Sequence, residues 1–206
     1  MPSKIKEHEH PICVRQSKKQ LLSLQVITNS HQNRIFAADL ETKSKMLATN
    51  SDMDERSEQY ELLIKQMRCM MESEKDEIAL MANASSLLSE VFPWHWIGFY
   101  RVIDNQLVLG PFQGPVACTR IGYDKGVCGT TWARKETIVV PDVEQFPGHI
   151  ACSSLSRSEI VVPIFDKNGE VKSILDIDST ELDAFDETDQ HYLEAFFALF
   201  SDNRPA

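Results

Sequence analysis

Hydrophobic positions change their spacing several times along this chain, and each change marks an element. From Ser57 to Val91, residues Tyr60, Ile64, Met67, Met71, Ile78, Met81, Leu88 and Val91 recur at three- and four-residue steps or small multiples of them, which is the spacing of one helix face. Acids and lysines fill the other side. Ser73 and Asn83 interrupt the pattern, so two helices are expected, and Pro93 stops the second. Strands follow. Trp94 to Ile103 (WHWIGFYRVI) reads as a strand, Asp104-Asn105 as a hairpin turn, and Gln106 to Leu109 as the returning strand. GPFQGP is an irregular approach to a third strand at Ala117 to Ile121. Val127 to Lys135 is a short helix and Thr137 to Val140 a short strand. Asp142 to Ser156 is a loop long enough to be functional. Ser158 to Phe165 and Glu170 to Asp178 form a last hairpin around the turn Asp166-Lys167-Asn168-Gly169. Asp186 then N-caps a helix running through Tyr192, Leu193, Phe196, Phe197 and Phe200, with Asp189 as an acid in its first turn. Hairpin-linked strands with helices at both ends predict an α+β fold around a central antiparallel sheet of about six strands.

Residues 1–56 follow neither period. They hold no glycine and two prolines, with Ser, Asn, Gln, Thr and Lys scattered through them, and are expected to be a poorly ordered N-terminal extension ahead of a domain spanning 57–206. Between His10 and Ala38 there is no acid, and Arg15, Lys18, Lys19 and Arg34 interleave with apolar residues, the pattern of a weak organelle-targeting helix. Glu7, Glu9 and the small number of arginines weigh against that reading. His8, His10 and Cys13 lie close together but lack a fourth ligand for a metal.

Charge narrows the partners. The extension carries nine Lys/Arg and seven Asp/Glu, the remainder twelve and twenty-four. Such an acidic domain repels phosphate backbones and anionic membranes, so no nucleic acid and no membrane are expected as partners. No apolar run approaches the roughly 18 residues of a spanning helix, and no signal peptide is evident near Met1. The five cysteines are therefore read as thiols of a cytoplasmic protein rather than as a secreted disulfide framework.

Three of them fall within 35 residues: Cys118, Cys128 and Cys152. Asp176 and Asp178, two apart on a strand, share one face, and Glu159 lies on the neighbouring strand. Trp96 and Tyr100, four apart on one strand, also share a face. Thiols and acids delivered from separate loops and strands point to thiol redox chemistry on a small polar substrate. Cys128 near a helix N-terminus should have a lowered thiol pKa, which favours it as nucleophile. Cys152 sits on the long loop beside His149, able to close over a substrate. A Cys₃His zinc site from these cysteines and His149 lacks the paired C-x₂₋₄-C spacing, so no metal or other cofactor is expected. Met67, Cys69, Met70 and Met71 are read as core or dimer-interface packing.

LGPFQG with ACTRI, then GVCGTTWA, FPGHIAC, RSEIVVP and LDIDS resemble the free methionine-(R)-sulfoxide reductases, a family of GAF-domain enzymes, over about Ser57 to Phe200. TTWARKE after Cys128 departs from the small residues usual there. The resemblance implies a GAF domain that reduces free methionine (R)-sulfoxide through sulfenic acid and disulfide intermediates, recycled by a thioredoxin-type reductant. It implies Cys152 as the attacking thiol, Cys118 as first resolver and Cys128 as relay or alternative nucleophile. It places Glu159, Asp176 and Asp178 against the substrate, with Trp96 and Tyr100 as pocket wall, and by analogy a homodimer. A GAF-type ligand-binding or redox-sensing module is the alternative.

Overall fold

The computed structural model describes residues 55–150 and 152–201. The extension, with His8, His10, Cys13 and the basic stretch from Arg15 to Arg34, lies outside the described residues apart from its last two. Glu55 and Arg56 already belong to the first helix, α1 (residues 55–73). After a three-residue break comes α2 (Glu77–Val91), whose N-cap Asp76 accepts from the Ala79 backbone N–H. The interruption expected at Asn83 does not occur. Asn83 faces solvent while Leu80, Met81, Ala84 and Leu88 carry the buried side, so its weak helix propensity is overridden by packing.

The strands are β1 (Trp96–Ile103), β2 (Gln106–Gln113), β3 (Arg120–Gly122), β4 (Ile138–Val140), β5 (Ser158–Phe165) and β6 (Val171–Ser179). They form one antiparallel sheet in the order β3-β2-β1-β6-β5-β4. Helix α3 (Gly126–Arg134) lies between β3 and β4, and α4 (Glu187–Phe197) follows β6. The α+β class expected from the pattern is thus the class observed.

Two strands differ from expectation. β2 runs on through Gly110 and Pro111, because the register against β1 slips between Gly98 and Tyr100. A proline has no N–H to lose at a bulge, so the strand survives it. The third strand is shorter than Ala117 to Ile121. Gly114 takes φ +134° and leads the chain out of the sheet. Side chains then take the carbonyls of this segment: Trp96 Nε1 donates to Pro115 O and Tyr100 Oη to Cys118 O, both at 3.0 Å. Cys118 therefore rides on a loop rather than in a ladder.

Alternation divides the sheet into two apolar faces. Ile97, Phe99, Ile160, Val162, Leu175 and Ile177 point to α1, α2 and α4, where they meet Tyr60, Met67, Leu88, Phe196 and Phe197. Each such side chain contributes about 1.5–3 kcal/mol by leaving water. Met67 and Met71 belong to this core, while Cys69 is exposed. Asp189, buried at the start of α4, accepts from Tyr60 Oη at 2.8 Å and Arg56 at 2.7 Å and closes the capping box with Asp186. One carboxylate thereby fastens α1 to α4.

Candidate active site

The opposite face of the sheet carries the chemistry, and register alone assembles it. Trp96 pairs with Asp178, which pairs with Glu159; one step along, Gly98 pairs with Asp176, which pairs with Val161. Since side chains two apart share a face, Trp96, Tyr100, Glu159, Asp176 and Asp178 all emerge on one side. Gly98 leaves room for the aromatic wall. A Cβ there would stand 2.4 Å from the Trp96 ring and 2.5 Å from Phe112, and in its absence Trp96 stacks on Phe112 with centroids 5.5 Å apart. Tyr100 lies 6.0 Å from Trp96 on the same wall. Its hydroxyl donates to the Cys118 carbonyl at 3.0 Å.

Helix α3 covers the acids from above. Its close seat requires Gly129, where a Cβ would lie 2.4 Å from the Gly122 carbonyl oxygen. This seat brings Cys128 Sγ to 3.2 Å from Asp176 Oδ2 and 3.8 Å from Glu159 Oε1. The lowered pKa expected for Cys128 from its place in the first helical turn is not what the surroundings produce. Burial, followed by the fields of Asp176 and Glu159, pushes the thiol well up. A helix terminus contributes a fractional charge, and two nearby carboxyls with desolvation outweigh it. Cys128 is a protonated thiol donating to Asp176.

The acids respond in the same way. Burial raises Glu159 and Asp176 well above the usual carboxyl range; Asp176 adds to the rise of Glu159, and Asp178 raises both. Asp178 is pushed up to about 6, mainly by burial. A carboxyl crowded out of water in this manner is shifted towards its protonated form, which can donate a proton. His149 Nε2 stands 3.9 Å from Glu159 Oε2, and its own burial lowers its pKa, so it is a neutral neighbour.

Cys118 and Cys152 are joined as a disulfide with Cα atoms 5.6 Å apart. This pairing brings the loop after β2 onto the long loop between β4 and β5, and it removes both thiols from the Cys₃His set considered for zinc. His95 anchors the second loop through Ser153, with Nε2 3.1 Å from Oγ. Two small cavities flank Cys152. One of about 20 Å³ is bounded by Cys128, His149, Glu159, Asp176 and Asp178; the other, of about 10 Å³, by Trp96, Tyr100, Val116 and the same two aspartates. Each is the size of a single water. The disulfide-linked loops thus fill the space between the aromatic wall and the acids.

All eight residues singled out from the sequence therefore meet around this space. His95, Ser153 and Ser156 were not singled out. His95 begins no motif, and the two serines lie in a loop with no periodicity, so their roles depend on tertiary placement alone.

The GAF domain profile matches residues 74–202. The chain is 52% identical over 145 residues to GAF domain-containing protein A of Dictyostelium discoideum, with 70% of this chain and 91% of that protein covered. It is 43% identical over 144 residues to the free methionine-R-sulfoxide reductase of Escherichia coli, covering 69% and 87%. Among solved structures, the free methionine-R-sulfoxide reductase of Neisseria meningitidis in complex with its substrate superposes with a TM-score of 0.67 at 49% identity, covering 68% of this chain and 85% of that one.

Proposed function

This chain belongs to the free methionine-R-sulfoxide reductase family of GAF domains, and on that premise we propose how its own residues reduce free L-methionine (R)-S-oxide to L-methionine. The observation that carries the proposal is the Cys118–Cys152 disulfide set against a buried cluster of acids whose proton affinity burial raises. A thiolate at Cys152 attacks the sulfoxide sulfur while Glu159 or Asp176 protonates the sulfoxide oxygen, and the adduct collapses as that hydroxyl passes to the Cys152 sulfur and the bond between the two sulfurs breaks. Methionine leaves and Cys152 becomes a sulfenic acid. Cys118 condenses with it, releasing water and forming the disulfide. An external dithiol then reopens the bridge by exchange and is itself oxidised.

Substrate recognition follows from the same face. The ammonium group is held by Asp176, Asp178 and Glu159, and the S-methyl end lies against Trp96 and Tyr100. Cys128, a buried and protonated thiol, serves as relay to Cys118 or Cys152 rather than as first attacker. The substrate needs more room than the two cavities provide, so reduction of the disulfide and withdrawal of the Cys152 loop precede its binding. The reductant is a thioredoxin-type protein, supported by three exposed apolar residues beside the bridge: Val116, Ile150 and Leu155. No helix among the described residues is long and apolar enough to cross a membrane, in keeping with a cytoplasmic enzyme. Residues 57–206 are the catalytic unit, 1–56 an extension, and pairing through the helices gives a homodimer.

Incubating the purified chain with each epimer of free methionine sulfoxide and dithiothreitol tests the activity. Methionine is expected from the R epimer, and none from it would end the proposal.

A further inference from the structure

The acid cluster holds a feature that substrate reduction does not require. Two carboxyls and a thiol converge, and each is buried. Asp176 is 7% exposed, and its Oδ1 has no hydrogen-bond partner among the described residues. It lines both small cavities. Groups at this spacing coexist by keeping protons, and a divalent cation is the chemical replacement for those protons.

We propose that Cys128, Glu159 and Asp176, with His149 as fourth donor, form a binding site for one thiophilic divalent cation of the Zn²⁺ type. The site is available while Cys118 and Cys152 are joined. Its geometry fits a tetrahedral shell. With metal–sulfur near 2.3 Å and metal–oxygen near 2.1 Å, sulfur and oxygen ligands stand about 3.6 Å apart. Cys128 Sγ is 3.2 Å from Asp176 Oδ2 and 3.8 Å from Glu159 Oε1, and one ligand atom from each of the three residues lies within 4.8 Å of the others. His149 Nε2 stands 3.9 Å from Glu159 Oε2 but outside the three mutually close ligands, so it enters the shell as fourth donor by a movement of its loop. A set of thiolate, imidazole and carboxylates favours zinc over magnesium or calcium. The cavity bounded by these four side chains, about 20 Å³, takes one ion.

Binding releases the protons it replaces: the Cys128 thiol gives up its proton, as does any protonated carboxyl of the pair, and no electron moves. Affinity therefore rises with pH. The site differs from a Cys₃His centre because the disulfide withdraws Cys118 and Cys152 and leaves Cys128 as the cavity's free thiol. Its consequence rests on the proposed function: the carboxylates that take the cation are those that take the substrate ammonium, so zinc and substrate exclude each other.

The test uses the full chain, oxidised, with Cys13→Ala and Cys69→Ala to silence the other thiols. Cobalt(II) titration should give one equivalent of tetrahedral visible bands with a sulfur-to-cobalt charge-transfer band, and zinc should displace it. Cys128→Ser should remove the charge-transfer band. Asp176→Asn should weaken zinc binding, measured by calorimetry, at least about tenfold, since losing even an outer-shell partner costs that much. Circular dichroism checks that both variants fold. Absence of the band in the parent, or its survival in Cys128→Ser, overturns the site. A band that forms while zinc leaves turnover unchanged overturns the shared use of Glu159 and Asp176, with the metal site itself standing.

Discussion

A thiol three residues into a helix is ordinarily a reason to expect a thiolate, and Cys128 shows why position alone does not decide it. The helix end offers a partial charge, whereas Asp176 and Glu159 offer two carboxyls within 4 Å of the sulfur. Desolvation adds to them. In the proposed mechanism the attacking role therefore falls to Cys152. Cys152→Ser should release no methionine even in a single turnover, whereas Cys118→Ser should release one per chain and then stall with a sulfenic acid. The reverse result, read by quantifying methionine without reductant, would exchange attacker and resolver. The acids make a second prediction. Asp178 binds its proton more tightly folded, at about 6, than unfolded, at 3.8. The stability this supplies is complete below the unfolded value and is lost as pH rises through the folded one. Glu159 and Asp176 are raised further and extend the decline towards neutrality. The oxidised protein should therefore melt lower at about pH 8 than at about pH 5. Asp176→Asn, which stays neutral at every pH, should make the melting temperature fall less between about pH 5 and about pH 8, while impairing turnover. A melting temperature that rises with pH over this range would show that other groups dominate.

At the scale of elements, function depends on how closely α3 sits on β3. Gly129 has the Gly122 carbonyl 2.4 Å from where a Cβ would be, and backbone cannot rotate away as a side chain can. Gly129→Ala should lift the helix, cost about 1–3 kcal/mol as an overpacked contact does, and draw Cys128 off Asp176. Thermal melting with a thiol-accessibility assay on Cys128 would check both effects; unchanged stability would mean that α3 shifts without resistance. The seat was not visible in the sequence, since a glycine inside GVCGTTWAR has no pattern to mark its neighbour. The strands were visible. WHWIGFYRVI and RSEIVVP alternate or run apolar as half-buried and central strands do, and their register carried Trp96, Tyr100, Glu159, Asp176 and Asp178 to one face. Legibility failed where side chains replaced ladder partners. Ala117 to Ile121 reads as a strand in the sequence, but Tyr100 and Trp96 hold the Cys118 part of that segment in a loop. That displacement is what allows Cys118 to reach Cys152.

For the whole molecule, one consequence of the fold is that the oxidised enzyme carries its disulfide at the surface end of a filled site. The acids lie beneath, and the bridge is carried by the two loops that a reductant must approach. Around it stand Val116, 89% exposed, Leu155, 59%, and Ile150, 41%. Apolar side chains left in water beside a reactive bridge suit a protein dithiol, whose docking buries them, better than a small thiol that needs only the sulfur. Burial of each is worth about 1–3 kcal/mol. Val116→Asp and Leu155→Asp would replace that gain with the desolvation of a charge. Both positions are exposed, so the fold should tolerate the changes with little loss of stability. Each should raise the KM for thioredoxin about tenfold or more, as 1.4 kcal/mol of lost contact requires, and leave the rate with dithiothreitol near that of the parent. An equal fall with both reductants would place these residues in the opening of the loops rather than in recognition. No change with either would move the docking surface elsewhere on the molecule. The small-molecule control separates these outcomes because dithiothreitol needs the same bond opened and touches none of the same surface.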